Sequence, residues 1–171
     1  KYEYVEDGIQ FISSLDAASN AVRRPQSGIQ PDTVENYLLD VDKPLVLPAN
    51  TNIKFLITAD DVIHSWWVPA LGWKRDAVPG FINEAWTEIL EPGTYRGQCA
   101  ELCGKDHGFM PIVLKVLPRA EYDQWVKDQK RQMAHDEAEV ERLWSREELM
   151  DLGKNVYAIQ CAGCHQGDGQ G

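Results

Sequence analysis

Two stretches of this chain concentrate side chains that can bind metals or form covalent bonds. The first reads Gly97-Gln98-Cys99-Ala100-Glu101-Leu102-Cys103-Gly104-Lys105-Asp106-His107-Gly108-Phe109-Met110-Pro111. Two thiols, an imidazole and a thioether lie within 12 residues. Sulfur with imidazole is a soft donor set and selects copper over the hard ions. Gly97, Gly104, Gly108 and Pro111 suit a tight loop between strands, which can gather several side chains around one point. A further imidazole, His64, stands 35 residues ahead of Cys99 in Val62-Ile63-His64-Ser65-Trp66-Trp67-Val68-Pro69. Two thiolates four residues apart can bridge two metal ions. Charge shared over two such ions changes each geometry little on oxidation, which favours fast electron transfer. The same residues allow other chemistry. Two Cys and two His complete a tetrahedral zinc set, with Met110 then an ordinary core residue. Cys99 and Cys103 can also close a disulfide in an oxidising compartment.

The second stretch is Cys161-Ala162-Gly163-Cys164-His165. This C-x-x-C-H pattern attaches c-type haem: two thiols add to the vinyl groups and His165 supplies an axial nitrogen. Free thiols or a disulfide in a tail are the competing reading. His135, in Gln-Met-Ala-His-Asp-Glu, reads as a solvated helix residue.

The elements that must position these groups follow from pattern. Of 171 residues, 43% are hydrophobic and 26% charged, so a packed core is expected. Short strands are expected at 37–41, 52–59, 62–68, 85–90, 94–99 and 111–117, separated by turn signals at Pro48, Asp60-Asp61, Pro79-Gly80 and Pro92-Gly93. Regular spacing of such strands points to a sandwich or barrel. Residues 19–31 carry Pro25, Gly28 and Pro31 and read as a loop. Trp66 and Trp67 are adjacent, so a strand turns them to opposite faces. Beyond Pro118, which suits the first helical position, composition shifts toward charge, with 12 charged residues among the 22 from Lys127 to Glu148. Tyr122, Trp125, Val126 and Met133 fall on one helical face. A second helix begins at Ser145, where Glu148 completes a capping box, and Leu149, Leu152, Val156 and Tyr157 follow at helical spacing. The expected division is 1–118, a charged helical linker over 119–144, and 145–171.

Net charge is −10, which argues against a nucleic-acid partner. Up to Pro118 there are 10 basic and 16 acidic residues, and the rest holds 7 and 11. An acidic surface steers a basic partner, and it also serves solubility. No apolar run is long enough for a membrane span, and no signal peptide is visible in the sequence given. The chain reads as the extramembrane piece of something larger.

Together, His64-Ser65-Trp66, Pro69-Ala70-Leu71-Gly72, Asp76-Ala77-Val78-Pro79-Gly80 and the 97–111 loop resemble subunit II of haem–copper cytochrome c oxidases, over roughly residues 1–117. The resemblance implies a mainly β fold, a cupredoxin-like Greek-key barrel, holding a dinuclear CuA copper centre. By position its ligands are His64, Cys99, Cys103, His107, Met110 and the backbone carbonyl of Glu101. The Glu101 side chain is then expected to reach a magnesium ion at the boundary with catalytic subunit I, and Asp76 to face that boundary. The family's aromatic W-x-W segment, which accepts electrons from cytochrome c, and its two membrane helices precede the match to Tyr2-Glu3-Tyr4. The helix around Gly153-Lys154-Asn155-Val156-Tyr157 and the C-x-x-C-H motif resemble the start of a class I cytochrome c, with Cys161, Cys164 and His165 binding haem c in the parent. The implied protein is a caa3-type subunit II on the periplasmic side of a bacterial inner membrane. It would pass electrons from cytochrome c to subunit I for oxygen reduction and proton pumping. A CuA-bearing nitric oxide reductase subunit and a non-redox copper-binding module are the alternatives. A nitrous-oxide reductase would need a His-rich propeller that this chain lacks.

Overall fold

A computed structural model describes residues 1–23, 27–141 and 144–157 of the chain. It divides into two units, Lys1–Lys130 and Arg131–Gly171, with the division inside a long helix. The first unit is mostly β. Its strands are β1 (Tyr2–Tyr4), β2 (Ile9–Phe11), β3 (Leu45–Pro48), β4 (Asn52–Ile57), β5 (His64–Trp67), β6 (Lys74–Ala77), β7 (Asn83–Glu88), β8 (Gly93–Cys99) and β9 (Pro111–Leu117). A short helix, α1 (Ala17–Val22), lies between β2 and β3, and α2 (Arg119–Glu141) and α3 (Arg146–Val156) follow β9.

Five strands form a curled sheet in the order β3-β9-β8-β5-β6, while β4 pairs with β7 and β1 with β2. Among the named strands of the described residues, β3–β9 is the parallel pair and the others are antiparallel. Alternation along β9 sends Ile112, Leu114 and Val116 into a core with Leu45, Leu47, Val68 and Ile89. A second cluster of Ile57, Ala77 and Ala85 is joined to the first by Phe55 and Trp66, which pack against both. Trp66 stacks on Trp73 at 5.0 Å, with Phe55 at the edge of Trp73 at 5.4 Å. Trp67 faces the other way and is exposed. The adjacent tryptophans thus divide as their alternation requires.

The strands expected at 52–59, 62–68, 85–90, 94–99 and 111–117 all form: the first two are shorter, the third is shifted two residues earlier, the fourth begins one residue earlier and the last matches. Residues 37–41 do not form one. Asn36 and Leu38 take left-handed backbone angles (φ 52° and 59°), and the segment turns. It is held there by hydrogen bonds: the Leu38 amide donates to the Ser19 hydroxyl, and Arg96 Nε donates to the Leu39 carbonyl. Residues 19–22, expected in a loop, belong to α1, because the Asp16 side chain accepts from the Ser19 amide and caps it. β1, β2, β3 and β6 were not anticipated. β6 is polar and exists through its register with β5 rather than through alternation.

After Pro118 the expected helices appear. Tyr122, Trp125, Val126 and Met133 occupy the less exposed face of α2. Trp125 packs on Tyr4 with ring centroids 5.2 Å apart. Ser145 and Glu148 form the capping box of α3. Leu149, Leu152 and Val156 on α3 are exposed, as is His135 on α2. No helix among the described residues is long and apolar enough to cross a membrane.

Two positions lock the first unit. At Gly97 a Cβ would stand 2.0 Å from the Trp67 carbonyl oxygen and 2.7 Å from Val68 Cα. Gly97→Ala is therefore expected to destabilise the unit by about 3 kcal/mol or more, read as a fall in urea midpoint. The Tyr4 hydroxyl donates to the Val46 carbonyl and accepts from the Val46 amide, both at 2.9 Å, pinning the β1–β2 hairpin to β3. Burial pushes the Tyr4 hydroxyl well above its ordinary pKa of 10.0, more than its hydrogen bond to Val46 lowers it. The unfolded chain then ionises first, so Tyr4's contribution is complete below about pH 10 and lost as pH rises beyond it. Tyr4→Phe should cost about 1–2 kcal/mol at neutral pH and flatten the alkaline loss of stability, measured by denaturation across pH 8–11.

Candidate metal centre

The close approach of β5 to β8 creates the site. Trp66 lies opposite Cys99 in the ladder, and the Ala100 amide donates to the Ser65 carbonyl at 2.9 Å. Beyond Cys99 the chain leaves the sheet and returns as β9, closed by the Cys99 amide donating to the Met110 carbonyl at 3.0 Å. Within this loop Gly104 takes φ 113°, a conformation suited to glycine. A 3-10 turn then spans His107–Phe109. The Phe109 amide donates to the Asp106 carbonyl and the His107 amide to the Gly104 carbonyl.

This scaffold brings together every copper-ligand candidate named from the sequence. His64 Nδ1 is 3.9 Å from Cys99 Sγ, and Cys99 Sγ is 3.9 Å from Cys103 Sγ. Cys103 Sγ is 3.5 Å from His107 Nδ1 and 3.4 Å from Met110 Sδ. Cys99 Sγ donates to the Glu101 carbonyl at 3.3 Å. The ligand atoms of His64, Cys99 and Cys103 lie within 4.8 Å of one another. Cys99 and Cys103 are free thiols, and 3.9 Å is far beyond a disulfide bond. His64, Cys99 and Met110 line the same groove as Phe55, Ile57 and Trp66.

The donor set fits metal chemistry. At bond lengths of about 2.0–2.3 Å, donor atoms 3.5–3.9 Å apart can share one ion at near-tetrahedral angles. The donors gather about the thiol pair, with His64 beside Cys99, His107 and Met110 beside Cys103, and the Glu101 carbonyl beside Cys99.

Electrostatics distinguish the two thiols. Burial raises the Cys99 pKa, but hydrogen bonds from the backbone at Glu101 and Ser65 and from His64 and His107 outweigh it, lowering it to about 7. Burial and the neighbouring Cys99 push the Cys103 thiol up. For His64, burial disfavours the imidazolium, yet Asp61 and Cys99 more than offset it and its pKa rises. The His64 hydrogen bond lowers the Asp61 carboxyl.

Asp61 was read from the sequence only as part of a turn. Its Oδ1 accepts from His64 Nε2 at 2.9 Å, which leaves Nδ1 directed at Cys99. The available signal was its position three residues ahead of His64. Asp76 accepts from the Ser65 hydroxyl at 2.7 Å, a bond that braces β5 against β6. The Glu101 side chain is exposed. Cys161, Cys164 and His165 lie outside the described residues.

Comparison with known proteins supplies the family. A family model described as cytochrome C oxidase subunit II, periplasmic domain, matches residues 2–117. The chain belongs to the subunit II periplasmic-domain family. A probable cytochrome c oxidase subunit 2 of Rickettsia bellii is 47% identical over 122 residues, covering 71% of this chain and 45% of that protein. Its counterpart in Rickettsia prowazekii is 57% identical over 92 residues, covering 54% and 29%. The chain thus spans less than half the length of these relatives. The crystal structure of the periplasmic domain of subunit II of cytochrome oxidase (CoxB) of Bradyrhizobium japonicum aligns with TM-score 0.63 and 37% identity, covering 77% of this chain and 85% of that one. A mixed disulfide intermediate between the thioredoxin-like TlpAs and a subunit II periplasmic domain aligns with TM-score 0.60 and 36% identity, covering 77% and 82%. The fold of the subunit II unit is accordingly cupredoxin-like.

A ligand imidazole depends on the partner of its other nitrogen for orientation and basicity. With His64 as a copper ligand, as the resemblance implies, Asp61→Ala is expected to weaken copper binding by about tenfold to a hundredfold while leaving the fold intact. Competition with a copper chelator measures the first and circular dichroism the second.

Proposed function

We propose that this chain is the electron-input domain of a haem–copper cytochrome c oxidase, and that it holds a dinuclear CuA centre. One observation carries the reading. Two thiols 3.9 Å apart lie between two imidazoles, His64 at 3.9 Å from Cys99 and His107 at 3.5 Å from Cys103, in a chain of the subunit II family.

Cys99, Cys103, His64, His107, Met110 and the Glu101 carbonyl would hold the copper pair. When bound, such a copper pair accepts and passes on one electron with little change in geometry. The chain's own residues provide the rigidity. Asp61 fixes the His64 ring, the Ser65 carbonyl holds the backbone at Ala100, and the Met110 carbonyl holds the backbone at Cys99. A related subunit II has been captured in a mixed disulfide with a thioredoxin-like protein. In this chain Cys99 and Cys103 would be the residues open to such exchange.

The same reading extends to partners. The net charge of −6 up to Pro118 suits a basic cytochrome c donor, with association weakening as salt rises. Electrons would pass onward to haem in subunit I, where oxygen is reduced and protons are pumped. The exposed Glu101 side chain is available to a magnesium ion at that boundary. Cys161, Cys164 and His165 would attach haem c in a caa3-type parent, with 1–118, 119–144 and 145–171 as copper domain, linker and start of the cytochrome. The domain would sit on the periplasmic side of a bacterial inner membrane, held there by helices of the parent subunit.

Electron paramagnetic resonance of the copper-loaded, oxidised chain tests the reading. One unpaired electron shared equally by two copper nuclei is the expected result. Cys99→Ser and His64→Ala should each abolish that signal. A spectrum of one isolated copper in the unaltered chain would overturn the dinuclear assignment.

A further inference from the structure

The residues on the outer face of the ligand turn have a partner of their own. In a 3-10 turn, side chains three residues apart stack on the same side. His107 and Met110 are one such pair and face the thiols, at 3.5 and 3.4 Å from Cys103 Sγ. Asp106 and Phe109 are the other pair, and both meet Arg23. Arg23 Nη2 donates to Asp106 Oδ1 at 3.1 Å, and the guanidinium carbon lies 4.2 Å from the centre of the Phe109 ring. One planar cation therefore grips the residues immediately before each of two candidate ligands. Arginine suits this double task, since its fork binds a carboxylate while its flat face lies on an aromatic ring.

Arg23 is itself anchored. It ends α1, and its amide donates to the Ser19 carbonyl. Ser19 is fully buried, and its hydroxyl accepts from the Leu38 amide at 3.0 Å. The Asp16 amide donates to the Asp40 carbonyl, and Asp40 pairs with Arg96 of β8 at 3.2 Å. A continuous path of bonds thus runs from β8, through the 36–40 turn and α1, to the outside of the ligand turn.

We propose that Arg23 is a positioning residue for the candidate copper centre: it clamps the His107–Phe109 turn from outside and so holds His107 and Met110 against Cys103. The effect on copper rests on the reading given under Proposed function, whereas the clamp itself does not. A lone exposed ion pair does little. Here the pair, with side chains 31% and 54% exposed, acts together with the ring contact on the same turn.

Two measurements on the full chain test it, using Arg23→Gln, Arg23→Lys, Asp106→Asn and the double variant R23Q/D106N. The first is amide hydrogen exchange without metal. Arg23→Gln should speed exchange at the Phe109 amide about tenfold while amides of β9 keep their wild-type rates. The second is the rate at which the reduced, copper-loaded chain loses copper to excess cuprous chelator. Arg23→Gln should raise it about tenfold, the magnitude expected when an outer support of a ligand is removed. Arg23→Lys keeps the charge but not the flat face and should fall between. R23Q/D106N should be no faster than the quicker single variant, because both changes cut one link. Wild-type exchange at Phe109 in Arg23→Gln and Asp106→Asn overturns the clamp. Equal acceleration across β9 also overturns it, by showing general destabilisation. Faster Phe109 exchange with copper loss within twofold of wild type overturns the positioning role. A wild-type chain that binds no copper pair defeats the copper reading and leaves the clamp to be decided by exchange.

Discussion

The contact on which the site depends is the backbone-to-backbone approach of β5 and β8 at Gly97. No side chain fits there, because a Cβ would sit 2.0 Å from the Trp67 carbonyl oxygen. With glycine in place the strands meet, Trp66 takes its register opposite Cys99, and the Ser65 carbonyl receives the Ala100 amide. His64 is thereby carried from 35 residues away to 3.9 Å from Cys99 Sγ. The cost of closing so long a segment is met by the ladder and by the core beneath it, where Val68 and Leu114 are fully buried. The loop that follows brings Cys103, His107 and Met110 to the same place.

Much of this was legible in the sequence, and the reasons are physical. Ligand residues cluster at short spacing, so one tight loop must gather them. Strand β4 carries clear alternation, and glycine and proline mark many of the turns. The capping box at Ser145 is a local signal and forms locally. What escaped depends on long-range partners. β6 is Lys-Arg-Asp-Ala, which has no alternation and becomes a strand by pairing with β5. Residues 37–41 have a strand-like composition, yet Ser19 and Arg96 bond to them as a turn. Asp61 looked like turn punctuation because its partner ring is placed by the sheet, not by adjacency alone.

Support of the candidate centre is unevenly distributed. On the β5 side the ligand sits on a strand, with Asp61 against its ring and Ser65 tied to Asp76. On the loop side Cys103, His107 and Met110 belong to a segment whose regular structure is a single 3-10 turn. A short turn of this kind has poor hydrogen-bond geometry and little intrinsic stability. Support from outside the turn comes through Arg23, at the end of α1, which meets Asp106 and Phe109.

Charge completes the picture. Two thiolates 3.9 Å apart repel one another, and the structure resolves this by separating their proton affinities, Cys99 near neutrality and Cys103 above its ordinary value. The folded chain therefore favours one thiolate at this pair. A second thiolate requires nearby positive charge, and cations bound between His64 and His107 would provide it while releasing the remaining proton. The donors, however, are already held within 3.5–3.9 Å of their neighbours by backbone bonds and by the sheet. Under the proposed reading, binding then costs proton displacement more than chain ordering. The same rigidity that removes the ordering cost also limits how far the ligands move when an electron arrives.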